Sequence, residues 1–290
     1  MFAFPGDSAF AVALAAHLEL EQATLDLHEF PDAEVKVRLD GDCAGRDVIL
    51  LCGGQRPNRN ALPLYFAAAT ARELGAASVG LVSPYMAYLR QDRRFQAGEA
   101  LSAAAYGRFL SGSLDWLVTV DPHLHRIHSL GEILSIPAAC VSSVPALAAW
   151  IAAQVPAPLI VGPDSESAQW VGAVAERLGA PFLVLEKIRA GDRDVHVSPA
   201  DAAALAGRTP VIVDDIASSG HTLARTVEAL LRAGSAPPVC IVIHALFAGD
   251  AERIVRASGA ARIVSANTIA HPSNGIDVSA LVAEAVRGLR

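Results

Sequence analysis

The stretch Pro210 to Leu223, P-V-I-V-D-D-I-A-S-S-G-H-T-L, runs an apolar strand into paired carboxylates and then into a small, hydroxyl-rich turn. Val211 to Val213 is a continuous β-branched run, the pattern of a strand buried on both faces, and such strands belong to parallel sheets covered by helices. The same rhythm recurs along the chain. Short apolar runs alternate with Ala-rich amphipathic stretches at Asp47 to Cys52, Ala61 to Leu74, Ser78 to Val82, Ser102 to Leu110 and Leu114 to Val120. A second set follows at Leu159 to Gly162, Ser167 to Leu178, Pro181 to Leu185, Val211 to Val213, Thr222 to Ala233 and Val239 to His244. This alternation predicts an α/β protein whose mainly parallel sheets are flanked by helices. Each half has a strand running into aspartate, Leu117 to Asp121 and Val211 to Asp215, which hints at duplicated domains. The stretch Pro137 to Pro145 is poor in periodicity and bracketed by prolines, so the predicted domains are residues 1–141 and 142–290. Val278 to Leu289 has helical spacing and is expected to pack back on the first domain.

Bulk properties exclude several classes. The 290-residue chain is 52% hydrophobic, yet no uninterrupted apolar run reaches the roughly 18 residues of a membrane span. The opening M-F-A-F-P-G-D-S-A-F has no basic region ahead of its apolar residues and reads as a strand turning at Gly6 into a helix. Cys43, Cys52, Cys140 and Cys240 lie far apart without C-x-x-C spacing, as expected of reduced thiols. A cytoplasmic protein without a membrane partner is therefore expected. A formal net charge of −7 argues against nucleic acid as a partner, because phosphate-backbone binding needs a basic surface.

The chemistry-bearing residues fall at the ends of the predicted strands. Asp214 and Asp215 stand at the carboxyl end of one of them, where ligands of open α/β sheets gather. Ser218, Ser219, Gly220, His221 and Thr222 follow as the next helix begins, offering hydroxyls and amides to a phosphate. No Lys follows Gly220 in this turn, so it is not a Walker loop, and a monophosphate with hydroxyls facing the carboxylates fits better.

Four other segments carry candidates. In H-E-F-P-D-A-E, Phe30, Asp32 and Glu34 precede an alternating strand, an arrangement suited to an adenine and its ribose, with a solvated edge hairpin as the plainer alternative. In Tyr88 to Ser102 the guanidinium groups of Arg90, Arg93 and Arg94 suit phosphate clamping, or simply a solvated charged loop. In V-D-P-H-L-H-R-I-H, Asp121 and His123 leave a strand end. Zinc is disfavoured there by short spacing without an assured fourth ligand, and magnesium suits a phosphate site better. Asp164 ends another strand, with Ser165 and Ser167 placed to cap the next helix. Lys187 and Arg189 open a polar segment reaching Ser198, longer than most strand-to-helix connections, which predicts a mobile lid.

The Asp214 loop resembles the phosphoribosyl-diphosphate loop of phosphoribosyltransferases and of ribose-phosphate diphosphokinases. Taken in order, F-P-D-A-E, Y-L-R-Q-D-R-R, V-D-P-H, P-D, K-I-R and D-D-I-A-S-S-G-H-T resemble the diphosphokinase family, also called phosphoribosyl-diphosphate synthetases, over nearly the whole chain. The variants G-E-A-L-S, E-K-I-R and P-D-S-E are similar to its divergent branch. The resemblance implies two phosphoribosyltransferase-like domains in a homo-oligomer, a dimer or a multiple of dimers, with ATP and ribose 5-phosphate as substrates and Mg²⁺ as cofactor. ATP would contact Phe30, Asp32, Glu34, Arg90, Gln91, Asp92 and Arg93, with Asp32 and Glu34 reaching a neighbouring subunit's nucleotide. His123 and Asp164 would hold Mg²⁺, while Lys187, Arg189 and His123 act on the reacting phosphates. Asp214, Asp215 and the residues Ser218 to Thr222 would bind ribose 5-phosphate. A phosphoribosyltransferase and a catalytically inactive regulatory homologue are the two other readings, the second because Ala33, Ser219 and His221 depart from the family pattern.

Overall fold

The computed structural model describes residues 1–187, 195, 196, 198 and 203–290, with the backbone alone for Glu186, Lys187, Val195 and His196. It divides into two compact units, one of Met1–Ser142, Thr268–Ala270 and Ser279–Arg290, the other of Ser143–Asn267 and His271–Val278.

In the first unit, β1 (Phe2–Ala3), β4 (Asp47–Leu51), β5 (Ser78–Val82), β6 (Trp116–Val120) and β7 (Ala138–Val141) form one parallel sheet in that spatial order. All five residues of β6 are buried, Thr119 among four apolar side chains, as expected of a strand covered on both faces. β5 carries Gly80, whose missing side chain is filled by the Trp116 indole. A Cβ there would lie 1.9 Å from the ring. β2 (Thr24–Glu29) and β3 (Val35–Asp40) form a separate antiparallel hairpin whose alternating burial leaves one face to solvent. The supposed boundary stretch contains β7, an edge strand of four residues, too short to display a period.

Strands here are added in one direction only, β1, β4, β5, β6, β7. Right-handed crossovers from β4 to β5 and from β5 to β6 then put their connecting helices on one side. On that side Leu64, Ala67, Ala68 and Ala71 of α2 (Pro57–Glu73) pack on Val48 and Leu50 of β4 and on Val79 and Leu81 of β5, and α3 (Ser102–Ser111) adds Leu110. The opposite face is covered by α1 (Ser8–Leu18) and by the carboxyl-terminal helix Ser279–Leu289, which packs on α1, β6 and β7. Val282, Ala283 and Val286 of that helix are fully buried. Burying a Val or Leu side chain contributes about 1.5–3 kcal/mol, enough to hold a returning helix in place.

The second unit is built on a parallel sheet ordered β15 (Asn274–Ile276), β14 (Arg262–Ala266), β13 (Val239–Ala245), β12 (Thr209–Ala217), β8 (Pro158–Gly162), β9 (Phe182–Val184). From β8 the chain adds β9 on one side, then returns to place β12, β13, β14 and β15 on the other. The reversal falls between β8 and β12, and it sends helices to both faces. Leu223, Val227 and Leu230 of α6 (His221–Arg232) and Val255 of α7 (Ala251–Ala257) pack on Ile212, Cys240 and Val242. α4 (Val144–Gln154) and α5 (Ala168–Leu178) pack together, and α5 also lies against β8, β9 and β12. In chain order, the carboxyl-terminal helix of the first unit is α8. β10 (Glu186–Lys187) and β11 (Val195–His196) form a small antiparallel pair. Most of the segment expected to act as a lid, Arg189 included, lies outside the described residues.

Candidate active site

The strand-order reversal opens a crevice at the carboxyl ends of β8 and β12, the general location of ligands in open α/β sheets. Asp214 and Asp215 lie there, but inside β12 rather than beyond it. β12 keeps pairing with β13 as far as Ala217 opposite Ala245, because β13 is itself long and buried along its whole length. Inside the strand the two carboxylates point to opposite faces. Asp214 is half-buried and accepts the Asp215 N–H at 3.1 Å, while Asp215 is 7% exposed. Burial, with the charge of Asp214 adding to it, pushes the Cys240 thiol up to about 12, which leaves it an inert part of the core.

β12 turns through Ser218, Ser219 and Gly220 into α6. Gly220 has φ +74°, and a Cβ there would stand 2.7 Å from the Ala251 carbonyl oxygen, so both handedness and space require glycine. The turn is fastened from outside, since Phe247 N–H donates to the Ala217 carbonyl at 2.8 Å and Ala248 N–H to the Ser218 carbonyl at 2.9 Å. Ser219 and His221 are exposed, Ser218 and Thr222 half-buried, all where α6 presents its free amides.

Across the crevice, Asp164 follows β8. Its Oδ1 accepts the Glu166 N–H at 3.1 Å, capping the short 3₁₀ turn Ser165–Ser167. The serines were expected to be the caps. Instead Ser167 donates its hydroxyl to the Asp164 carbonyl at 2.6 Å, and α5 begins without a side-chain cap, because the chain enters through that tight turn.

In the first unit two loops carry the other candidates. Phe30, Asp32 and Glu34 share the exposed tip of the β2–β3 hairpin, closed by Phe30 N–H to the Glu34 carbonyl at 2.8 Å and by Glu34 N–H to Asp32 Oδ1 at 3.2 Å. Phe30 lies edge-on to His28, ring centroids 4.6 Å apart. Ala33 adopts φ +69°, a conformation that costs a residue with a Cβ about 1–2 kcal/mol.

The second loop follows β5. Arg90 is exposed, and the Arg93 guanidinium sits 4.5 Å over the Phe95 ring. Asp92 is turned inward, its side chain 4% exposed, with Oδ1 and Oδ2 both accepting from Arg126 Nη1 and Oδ2 also from the Arg126 backbone N–H, at 3.0–3.3 Å. It braces the loop. Glu99 organises the rest, accepting from Gln91 Nε2 at 3.3 Å and from Phe95 N–H at 2.7 Å, while its carbonyl takes Arg94 Nε at 2.9 Å. Sequence reasoning singled out neither Arg126 nor Glu99. Arg126 acts on Asp92, 34 residues away, which no local pattern records, and Glu99 gathers contacts 4 to 8 residues back in an irregular loop that has no period to read.

Asp121, 9% exposed, follows β6 and donates its N–H to the Val141 carbonyl at 2.9 Å. Half-buried His123 and His125 meet edge to face at 4.2 Å, and His128 is exposed. A further buried acid, Asp7, stands at the carboxyl end of β1, where it accepts Gly53 N–H at 2.8 Å and Gln55 Nε2 at 3.3 Å. Burial raises its carboxyl above the usual range. His123 thus belongs to the first unit and Asp164 to the second, Lys187 is described by its backbone alone, and Arg189 is not described. Among the described residues no three His, Cys, Asp or Glu side chains converge as a metal cage. The Asp164 carboxylate still fits Mg²⁺, which takes one or two carboxylates and completes its shell with phosphate oxygens and water.

Residues 1–112 match the family described as the N-terminal domain of ribose phosphate pyrophosphokinase, and residues 129–281 match the phosphoribosyl transferase domain. A ribose-phosphate pyrophosphokinase of Methanopyrus kandleri is 33% identical over 278 residues, 95% of this chain and 94% of that protein. One of Saccharolobus solfataricus is 32% identical over 83% of this chain and 82% of that protein. The crystal structure of a phosphoribosylpyrophosphate synthetase from Mycobacterium smegmatis superposes with a TM-score of 0.86 at 22% identity, over 99% of this chain and 97% of that one, which shows the shared fold. The chain belongs to the ribose-phosphate pyrophosphokinase family and is an enzyme that transfers diphosphate from ATP to ribose 5-phosphate.

Proposed function

We propose that the crevice at β8 and β12 holds ribose 5-phosphate, with the sugar hydroxyls on Asp214 and Asp215 and the 5-phosphate on the Ser218 to Thr222 turn where α6 begins. The observation that carries this reading is the coincidence of the carboxylate pair, the Gly220 turn and the strand-order reversal in one place. In the first unit Phe30, Asp32 and Glu34 take the nucleotide's base and ribose, and Arg90, Gln91 and Arg93 its phosphates. Asp92 contributes by bracing that loop through Arg126.

The sugar's anomeric hydroxyl attacks the β-phosphorus of ATP. A new oxygen–phosphorus bond forms, the bond from the β-phosphorus to the oxygen it shares with the α-phosphorus breaks, the hydroxyl proton is released, and AMP departs. Catalysis of this kind rests on positioning and on neutralising the charge spread over the transferred group. Asp164 and His123, in separate units, would each offer a ligand to Mg²⁺, which would supply part of that neutralisation. Lys187 and Arg189 would supply the rest of that neutralisation. The protein acts in the cytoplasm as a homo-oligomer in which Asp32 and Glu34 reach a neighbouring subunit's nucleotide.

Purified protein mixed with ATP, Mg²⁺ and ribose 5-phosphate is expected to yield AMP and phosphoribosyl diphosphate, followed by ³¹P NMR. Absence of AMP, together with base attachment when phosphoribosyl diphosphate and a panel of bases are supplied, would overturn the assignment in favour of a phosphoribosyltransferase.

A further inference from the structure

Near the carboxyl ends of β13 and β14, on the side of β12 away from β8, a second polar assembly touches no proposed substrate-binding residue directly. His271 is its centre. Its Nδ1 meets the Ser273 N–H at 3.1 Å and the Ser273 hydroxyl at 2.7 Å. A backbone N–H can only donate, so Nδ1 is the unprotonated nitrogen and the ring proton of the neutral imidazole sits on Nε2. That Nε2 faces Glu252 Oε2 at 3.5 Å. The Ser273 hydroxyl is tied to Ser265 Oγ at 2.7 Å, and Asn274 Nδ2 donates to Ser265 Oγ and to the Ala266 carbonyl, each at 2.9 Å. Asn274 Oδ1 in turn accepts the His271 N–H at 3.0 Å. The imidazole is therefore fixed to the end of β14 on one side and presented to α7 on the other.

Acid, imidazole and hydroxyl in a row are also the parts of a hydrolytic triad. Here Ser273 is only 8% exposed and its hydroxyl is already held by Ser265, so the row works as an anchor. What it anchors is the back of the sugar-phosphate turn. His271 packs on the Phe247 ring at 4.9 Å, and Phe247 is held at φ +36°, an uncommon backbone conformation for a residue with a large side chain. Phe247 and Ala248 supply the two backbone hydrogen bonds that fasten Ala217 and Ser218, and Ala251, one residue before Glu252, is the residue whose carbonyl is pressed against Gly220.

We propose that His271 is a positioning residue for diphosphate transfer: it braces Phe247 and Glu252 so that the 246–252 connection holds the Ala217 to Gly220 turn in the shape that receives the 5-phosphate. This rests on the reading that the turn binds ribose 5-phosphate. A displacement of about 1 Å in a binding turn can cost up to 100-fold, so the expected signature is a selective loss of sugar affinity.

His271→Ala is expected to raise KM for ribose 5-phosphate about tenfold, leaving KM for ATP and kcat within about twofold. His271→Gln, whose amide nitrogen can still donate toward Glu252, is expected to recover most of that loss. KM does not depend on the fraction of folded enzyme, so a purely structural role would lower Tm without moving it. Glu252→Ala, on the surface of α7, is expected to raise the same KM about threefold and tests the brace even if His271→Ala does not fold. An unchanged sugar KM in these variants, or an equal rise in the ATP and sugar KM values, overturns the proposal provided Asp214→Asn does raise KM for ribose 5-phosphate. If Asp214→Asn leaves that KM unchanged, it is the placement of the sugar that fails.

Discussion

The two sheets of this chain use the same kind of strand and differ in the order in which strands are laid down. In the first unit strands are added steadily in one direction, so the crossovers after β4 cover one face, while α1 and a helix from the far end of the chain, Ser279–Leu289, cover the other. In the second unit the order reverses at β8 and β12, so helices reach both faces and a crevice opens at the reversal. Both units have a strand running to an aspartate, Asp121 after β6 and Asp214 within β12. Only Asp214 lies at a reversal. Asp121 has β5 and β7 on its flanks as ordinary sequential neighbours, and the candidate nucleotide residues sit instead on a hairpin tip and a loop after β5. Strand order, not the strand's own sequence, decides which aspartate can face a ligand.

The comparison can be broken or sharpened by substitution. The largest effect is expected at Lys187. Lys187→Ala should lower kcat by about 10²- to 10³-fold, as loss of one group stabilising transition-state charge does, with KM for ribose 5-phosphate nearly unchanged. Near-normal turnover in steady-state assays of that variant would remove the charged segment from the mechanism.

A smaller effect is expected where the second unit depends on glycine. Gly220→Ala places a Cβ 2.7 Å from the Ala251 carbonyl at φ +74° and should cost about 2–3 kcal/mol in urea unfolding, with a higher KM for ribose 5-phosphate. Gly98→Ala is its counterpart in the first unit, with φ +88° but nothing within 4 Å of the new Cβ. It should cost only about 1 kcal/mol, from backbone strain alone. Equal costs at the two positions would mean that the packing of α7 against the Gly220 turn is not what fixes its shape.

The smallest effect runs the other way. Ala33 strains the hairpin tip at φ +69°, so Ala33→Gly should raise stability by about 0.5–1 kcal/mol, less than the full strain because glycine loses more freedom on folding. Thermal unfolding checks it. A loss of stability would show that the tip is held by contacts of the Ala33 methyl.

Much of this was legible in the residues. Fully buried strands such as Trp116–Val120 and Val239–Ala245 show as apolar runs interrupted by a single polar residue each, Thr119 and His244, because both faces are covered, and the helices between them show in their Ala-rich periodicity. The hairpin showed through alternation, and the Asp214 turn through its own residues. Other features were hidden. β7 is too short to show a period, and β12 extends past its paired acids because a neighbouring strand continues to accept its hydrogen bonds. The capping role of Asp164 depends on a tight turn that serines alone do not announce. The inward turn of Asp92 depends on Arg126, 34 positions along the chain.

The sequence by itself determined what is local: which segments can be strand or helix, where a left-handed turn must fall, and which side chains carry charge near strand ends. Each follows from the chemistry of a few consecutive residues. Only the tertiary structure decided which strands became neighbours, and through that which carboxylates line a crevice, which acid is buried as a brace, and how a histidine 51 residues beyond Gly220 comes to stand behind its turn. Those outcomes come from packing between segments distant in sequence, where the free energy is gained by burying shared apolar surface and pairing buried polar groups.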